Sequence, residues 1–210
     1  SLSRAMDGVT TALELEIGVP DVGRFLASRK GHAVVNFGAT IGHGPLRSWA
    51  MPEHEQQVER IVAEFGTSGD DCRDVFKAFG AGTRPGRHEA LAEERYPVLR
   101  ERLAQGLRDG ALGIGVAHQY YPGVTYDEIF RVFQFAAERQ APVFTHVRSM
   151  GVAAVQEVVT NAVATGASLH IVHLNSSSLG QYRTNLDLRR ACLAALPRRS
   201  VVPTTSRISS

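Results

Sequence analysis

The sequence predicts an α/β fold in which a parallel sheet is covered by helices. Short apolar segments alternate with helical segments along most of the 210 residues, and this alternation is typical of parallel sheets. Two strand-like segments, 141–149 and 167–178, each carry a histidine after an apolar run and enclose one amphipathic helix, 151–166. Such a strand–helix–strand unit makes parallel strands. Five or six units fit either a doubly wound open sheet or most of a (β/α) barrel, because a complete barrel needs about 250 residues.

The first half of the chain contains two predicted strands and their helices. Residues 8–18 alternate apolar and polar side chains from Ala12 onward, as a half-buried strand does. A short helix over 21–31 leads to a second strand over 33–42. The next helix, 52–66, has proline in its first turn and glycine at its end, which are ordinary signals for the start and end of a helix.

The second half begins with a segment, 67–87, that is rich in Gly, Asp, Ser and Thr and predicts a surface excursion. A helix over 88–110 is expected to be interrupted near Pro97, because proline removes a backbone hydrogen bond. Thr125 and Glu128 form a capping-box pattern before the next helix. The remaining predicted elements are a strand over 111–117, the capped helix over 126–140, the two histidine strands, a helix over 181–196 and a sixth strand over 200–205.

Composition indicates a soluble globular protein and excludes several classes of partner. The hydrophobic fraction is 43%, the charged fraction 21% and the net charge +2, all ordinary for such a protein. Basic residues are interleaved with acids and form no stripe with aromatics, so we expect no nucleic-acid partner. No apolar run approaches the roughly 20 residues of a spanning helix, so we expect no membrane partner. Only Cys72 and Cys192 are present, which favours a reduced, cytoplasmic setting and does not exclude secretion.

Two histidines, His146 and His173, follow the apolar runs of neighbouring predicted strands. The carboxyl ends of parallel strands are where α/β folds bind ligands, and imidazole is a common zinc ligand. A third ligand is required, and Glu14 and Glu16 share one face of the first strand. Carboxylates facing a core are costly unless they are paired or metal-bound. The alternative is that the histidines are hydrogen-bonded core residues and the glutamates face a solvated rim.

Other motifs have simpler interpretations. His170 should face away from His173, because strand residues three apart point to opposite sides. The glycines of 110–115 lie before and within a strand, which favours close backbone packing over phosphate binding. His43 stands between two glycines, in a loop that lines a pocket or in a plain turn, and residues 175–178 favour a helix cap. The remaining histidines, which we expect at the surface, are His32, His54, His88 and His118. The pair Tyr120 and Tyr121 indicates a packed aromatic turn.

Five segments together resemble the amidohydrolase superfamily, most closely its N-acyl-D-amino-acid deacylase branch with the D-glutamate deacylase-like members. They are GVTTALELEIG, NFGATIGHGPLR, DGALGIGVAHQYYPG, FTHVRS and HIVHLNSSS, in that order. The resemblance covers residues 7–188. It implies a partial TIM-like (β/α)8 barrel of the metal-dependent hydrolase type, roughly strands 2 to 6, forming a single incomplete domain over 1–210. It also implies one or two Zn²⁺ ions at the carboxyl end of the barrel.

The resemblance assigns roles to individual residues. His146 and His173 match the metal ligands of the fifth and sixth strands, and Glu16 is the nearest candidate for the second-strand ligand, with Glu14 as the alternative register. The residues implied to contact substrate are His43, Arg47, Tyr120, Arg148 and Asn175. Arginine suits a carboxylate-bearing substrate because of its forked geometry. Related deacylases have Lys where this chain has Asn175, which favours another acyl-amino acid or a cyclic amide.

Two departures from the superfamily pattern affect the expected activity. The sequence contains no HxH pair, and no strand with the expected general-base Asp is evident. We therefore expect a fragment that is inactive or nearly so on its own. The intact enzyme is expected to hydrolyse C–N bonds of an N-acyl amino acid or related amide, the alternatives being a dihydroorotase- or hydantoinase-like cyclic amidase and a non-catalytic barrel remnant with a binding or assembly role. Exposed strand edges favour association into a homo-oligomer.

Overall fold

A computed structural model describes residues 5–64, 86–149 and 151–174 of the chain. The strands are β1 Thr11–Val19, β2 Asn36–Gly42, β3 Ile114–Ala117, β4 Val143–His146 and β5 Leu169–Ile171. The helices are α1 Val22–Arg29, α2 His43–Trp49, α3 Pro52–Glu64, α4 Tyr96–Arg108, α5 Tyr126–Glu138 and α6 Val152–Thr165, with 3₁₀ turns at Glu93–Arg95 and His118–Tyr120. The predictions for 181–196, 200–205, Asn175, the cysteines and most of 67–87 lie outside the described residues.

The five described strands form one parallel sheet in the order β1-β2-β3-β4-β5. Each strand therefore pairs with the next one along the chain. A doubly wound sheet reverses its strand order at a switch point, so this progression excludes that alternative. The α/β class and the partial barrel that the sequence predicts are confirmed.

Glycines allow the sheet to curve tightly. Gly115 lies in β3, yet a Cβ at this position would be 2.9 Å from the backbone nitrogen of Gly18 in β1 and 2.6 Å from Oγ1 of Thr40 in β2. Strands β1 and β3 are not paired neighbours, so their approach shows that the sheet bends towards itself. The interpretation of the glycine-rich segment 110–115 as a site of close backbone packing agrees with this geometry.

Helix α5 buries the face that its sequence predicts. Ile129, Val132, Phe133 and Ala136 are buried, and Ala137 is half-buried. At its start, the Thr125 side chain accepts a hydrogen bond from the Glu128 backbone nitrogen at 3.0 Å. The Glu128 side chain does not complete the expected capping box, because its carboxylate binds elsewhere in the core.

Two local predictions are wrong. The segment around His43, predicted as a loop or turn, is helix α2, which begins directly after β2. Pro45 lies in its first turn, where the missing backbone N–H costs no hydrogen bond. Pro97 does not interrupt a longer helix but lies in the first turn of α4, for the same reason.

None of the helices in the described ranges has both the length and the apolar character that a bilayer span requires.

Candidate metal centre

Glu16, His146 and His173 converge at the carboxyl end of the sheet. Glu16 Oε1 lies 2.7 Å from His146 Nδ1, and Glu16 Oε2 lies 2.8 Å from His173 Nε2. One ligand atom from each residue lies within 4.8 Å of the other two. The three side chains therefore meet around one point, although Glu16 and His173 are 157 residues apart in the chain.

An irregularity in β1 places Glu16, and not Glu14, beside the two histidines. The pairing of β1 with β2 is regular up to Glu14 and shifts between Glu14 and Val19, as at a β-bulge, which redirects side chains locally. The Glu14 carboxylate turns back to its own strand and accepts a hydrogen bond from the Ile17 backbone nitrogen at 3.3 Å. Glu16 is the carboxylate that reaches the histidines, so the structure favours the first of the two predicted registers.

The two histidines reach the site from different backbone settings. His146 is the last residue of β4, whereas His173 lies two residues beyond the end of β5 in a turn. His173 has φ 52°, in the left-handed region that residues other than glycine seldom occupy and that clusters at functional sites. The two rings pack edge to face with centroids 5.5 Å apart.

The residues present fit a divalent cation. His146 Nδ1 is buried and has no hydrogen-bond partner, although Glu16 Oε1 is only 2.7 Å away. The two atoms are as close as in a hydrogen bond, but the N–H direction of the ring does not point at the carboxylate oxygen. Burial raises the pKa of Glu16, but the neighbouring His146 and His173 outweigh it and hold that pKa below its ordinary value. An ionised carboxylate with two imidazoles is a donor set that zinc prefers, and three protein ligands leave a coordination position open.

Two residues of the 3₁₀ turn after β3 line the His146 ring. The Tyr120 ring centroid is 5.2 Å from that of His146, so the residue predicted to contact substrate lies beside the candidate metal ligands. Gln119 Oε1 is 2.6 Å from His146 Nε2. Gln119 is not among the predicted site residues, because its only signal in the sequence is its position just after a predicted strand.

Arg148, predicted to bind substrate, makes its polar contacts inside the fold. Its Nε and Nη2 lie 3.0 and 2.9 Å from the two carboxylate oxygens of Glu157, and Nη1 donates to the Val124 carbonyl at 2.7 Å. The guanidinium also lies over the Tyr126 ring, 4.4 Å from its centroid. These contacts tie the end of β4 to α6, and a role in substrate binding stays a prediction.

His43 and Arg47 form a buried ion-pair network with Glu128. His43 Nε2 and Arg47 Nε each lie 2.8 Å from Glu128 Oε1, and all three side chains are fully buried. Burial raises the pKa of Glu128, but His43 and Arg47 outweigh it and lower the pKa to about 2. The network joins α2 to α5. Contact of His43 or Arg47 with a substrate stays a prediction, since both side chains already have partners below the surface.

His118 is fully buried, so its expected surface position is wrong. The residue follows β3 directly, and its Nδ1 lies 3.5 Å from Thr145 Oγ1, while its Nε2 lies 3.9 Å from Glu157 Oε2. Burial, with smaller contributions from Arg148 and the other histidines, lowers the pKa of His118 to about 3. The ring is therefore neutral at physiological pH and lies in the buried core.

His170 makes an aromatic contact and does not join the three candidate ligands. Its ring packs against Phe144, its pairing partner in β4, with centroids 5.1 Å apart. Phe144 and His146 lie two residues apart in β4, so this contact is on the face of the sheet that carries His146. Burial lowers the pKa of His170. A structural role for His170 stays a prediction.

The chain matches no protein-family model and no curated protein, but its fold matches solved structures. An N-acyl-D-glutamate deacylase from Bordetella bronchiseptica, complexed with zinc and a phosphonate mimic of the tetrahedral intermediate, has TM-score 0.63 and 19% identity over 95% of this chain and 42% of the other. A D-aminoacylase variant with copper chloride has TM-score 0.61 and 18% identity, over 88% of this chain and 33% of the other.

A further D-aminoacylase structure, which addresses the functional role of the binuclear metal centre in that enzyme, has TM-score 0.60 and 17% identity, over 88% of this chain and 33% of the other. The chain thus spans between a third and about two fifths of the length of these proteins. At such identities the likeness shows a shared fold. The fold that the sequence resemblance implied, part of a (β/α) barrel, is confirmed.

Proposed function

We propose that the chain carries three metal ligands of a zinc-dependent hydrolase that cleaves C–N bonds other than peptide bonds, similar to N-acyl-D-amino-acid deacylases. The convergence of Glu16, His146 and His173 at the carboxyl end of the sheet carries this proposal. The fold shared with D-aminoacylase and N-acyl-D-glutamate deacylase structures supports the reaction class.

The chain's own residues have distinct tasks in this proposal. Glu16 faces a different histidine with each of its oxygens, an arrangement that suits either one zinc ion or two. When bound, zinc supplies polarisation of an acyl carbonyl and activation of a water. Tyr120, beside the His146 ring, is placed to contact the substrate. The sequence has no HxH pair, so we propose that the 210-residue chain alone turns over little substrate.

Zinc titration of the purified 210-residue chain tests the metal centre. We expect tight binding by the wild type and its loss in Glu16→Gln, which keeps the size of the side chain and removes its charge. A second group, Glu53, His54 and Glu89, also lies within 4.8 Å at the surface. The matched control is therefore His54→Ala, which should leave the tight site intact. Equal zinc binding by wild type and Glu16→Gln would contradict the proposed centre.

Binding of inhibitors distinguishes the substrate classes. The zinc-loaded chain should bind a phosphonate analogue of an N-acyl-D-amino acid more tightly than the metal-free chain does, as measured by calorimetry. A cyclic imide serves as the competing ligand, because its preferred binding would indicate a dihydroorotase- or hydantoinase-like enzyme. If neither compound bound in a zinc-dependent way, the chain would be a barrel with a binding or assembly role.

A further inference from the structure

Gln119 lies on the opposite side of the His146 ring from Glu16. The pairing of Ala117 with His146 across β3 and β4 places the turn after β3 next to this ring. Gln119 Oε1 is 2.6 Å from Nε2, while Glu16 Oε1 is 2.7 Å from Nδ1. Each ring nitrogen therefore faces a different oxygen.

These two contacts define where the ring proton lies. An amide oxygen can only accept a hydrogen bond, so the contact with Gln119 requires a proton on Nε2. A neutral imidazole carries one N–H, and Nδ1 then presents a lone pair towards Glu16. The absence of a hydrogen-bond partner at the buried Nδ1 agrees with this assignment. A lone pair and a carboxylate oxygen at this distance repel each other, and a cation bound by both atoms would remove that repulsion.

We propose that Gln119 is a positioning residue that holds His146 as the Nε2–H tautomer, with Nδ1 directed at the cation. The inference rests on the proposed metal centre and adds a residue outside the ligand set. Histidines that bind metals donate their other N–H to an oxygen acceptor, and this fixes both the tautomer and the ring orientation. In this chain the acceptor comes from the neighbouring strand end.

The side-chain ¹⁵N NMR signals of His146 in the metal-free chain test the tautomer directly. We expect Nε2 to be protonated in the wild type, with the signals assigned by their loss in His146→Gln. In Gln119→Leu, which removes the acceptor at similar size, we expect a population with the proton on Nδ1, donated to Glu16. A wild-type ring protonated on Nδ1, or unchanged signals in Gln119→Leu, would overturn the proposal.

Zinc affinity provides the second measurement. Loss of such an acceptor typically weakens metal binding about 10–100-fold, and we expect this loss in Gln119→Leu. Gln119→Glu keeps an acceptor and should restore the affinity, whereas a general packing defect would not be rescued. Gln134→Leu makes the same change at an exposed position of α5 and should bind zinc as the wild type does.

The outcomes separate this inference from the metal centre itself. Wild-type affinity in Gln119→Leu would refute the role of Gln119 and leave the metal centre standing. A wild-type chain that binds no zinc would refute the metal centre, and the NMR signals would still decide whether Gln119 sets the tautomer. If Gln119→Leu does not fold, the wild-type spectrum and the zinc affinity of Gln119→Glu decide the question.

Discussion

Glu14 and Glu16 lie two residues apart on β1, yet their surroundings move their pKa values in opposite directions. Burial raises the pKa of Glu14, and the hydrogen bonds from the Ile17 and Gly18 backbone only partly offset it. For Glu16 the effect of burial is outweighed by His146 and His173. The carboxylate that faces the two histidines is therefore the one whose ionised form its surroundings favour.

Glu128 gives a prediction about acid stability. Its pKa in the folded chain is about 2, against an ordinary value of 4.5, so the ionised form stabilises the fold above about pH 4.5. This contribution is lost as the pH falls from there towards 2. We expect Glu128→Gln to be less stable at pH 7 by about 3–5 kcal/mol, because Arg47 loses its buried partner. The variant should also lose less stability on acidification, as measured by urea unfolding between pH 7 and 3.

The matched control for Glu128 lies on the same helix. Glu138 pairs with Arg100, and both side chains are about half exposed. Exposed ion pairs contribute little to stability, so Glu138→Gln should leave both the stability and its pH dependence close to wild type. An acid dependence of Glu128→Gln as steep as that of the wild type would contradict the assignment.

At the level of the strands, the position of Glu16 depends on how closely β1, β2 and β3 approach one another. Gly115 permits this approach, because a Cβ there would lie 2.6 Å from Thr40 Oγ1, 2.9 Å from Gly18 N and 3.0 Å from the Glu16 carbonyl. Two of these three atoms belong to backbone that cannot rotate away. The curvature of the sheet and the position of Glu16 therefore depend on the same glycine.

Gly115→Ala should be destabilising for this reason. Overpacking of a close-packed core typically costs about 1–3 kcal/mol, and we expect a loss of this size in the free energy of unfolding, measured with urea. Gly23→Ala makes the same change in α1, where the nearest atom to the new Cβ would be 3.5 Å away. Because alanine is the better helix former, that variant should gain up to about 1 kcal/mol. A wild-type stability of Gly115→Ala would refute the close approach.

Most of the described strands and helices, and the placement of the two histidines at strand ends, were predictable from the sequence because they depend on local patterns. His146 and His173 both follow apolar strand segments, so they come to the same edge of the sheet when the strands are parallel. The sequence could not choose between Glu14 and Glu16, since the choice depends on a pairing shift with β2. It also missed Gln119 and the buried position of His118, because their contacts come from residues 27 or more positions away.

For the molecule as a whole, the three candidate ligands connect the first and last described strands. Glu16 belongs to β1, and His173 follows β5, so their shared contact spans the width of the described sheet. His146 on β4 completes the group. Anything that binds these three side chains in the folded state, and not in the unfolded chain, stabilises the entire fold by linkage.

Zinc should therefore raise the melting temperature of the chain. At free zinc about 100-fold above the dissociation constant, linkage predicts about 2.7 kcal/mol of added stability, and a chelator should remove it. His173→Ala should abolish the shift. His170→Ala is the matched control, because the His170 ring packs against Phe144 and should not affect the zinc response. A shift that survives in His173→Ala would place the stabilising ion elsewhere.

The pairing shift in β1 also limits how the length of this segment can vary during evolution. The number of residues between Glu14 and Val19 determines which side chain faces the histidines. Loss or gain of a single codon here would substitute an apolar neighbour such as Leu15 or Ile17 for the carboxylate. We therefore expect homologous chains that retain the centre to conserve the length of this stretch, even where the surrounding sequence diverges.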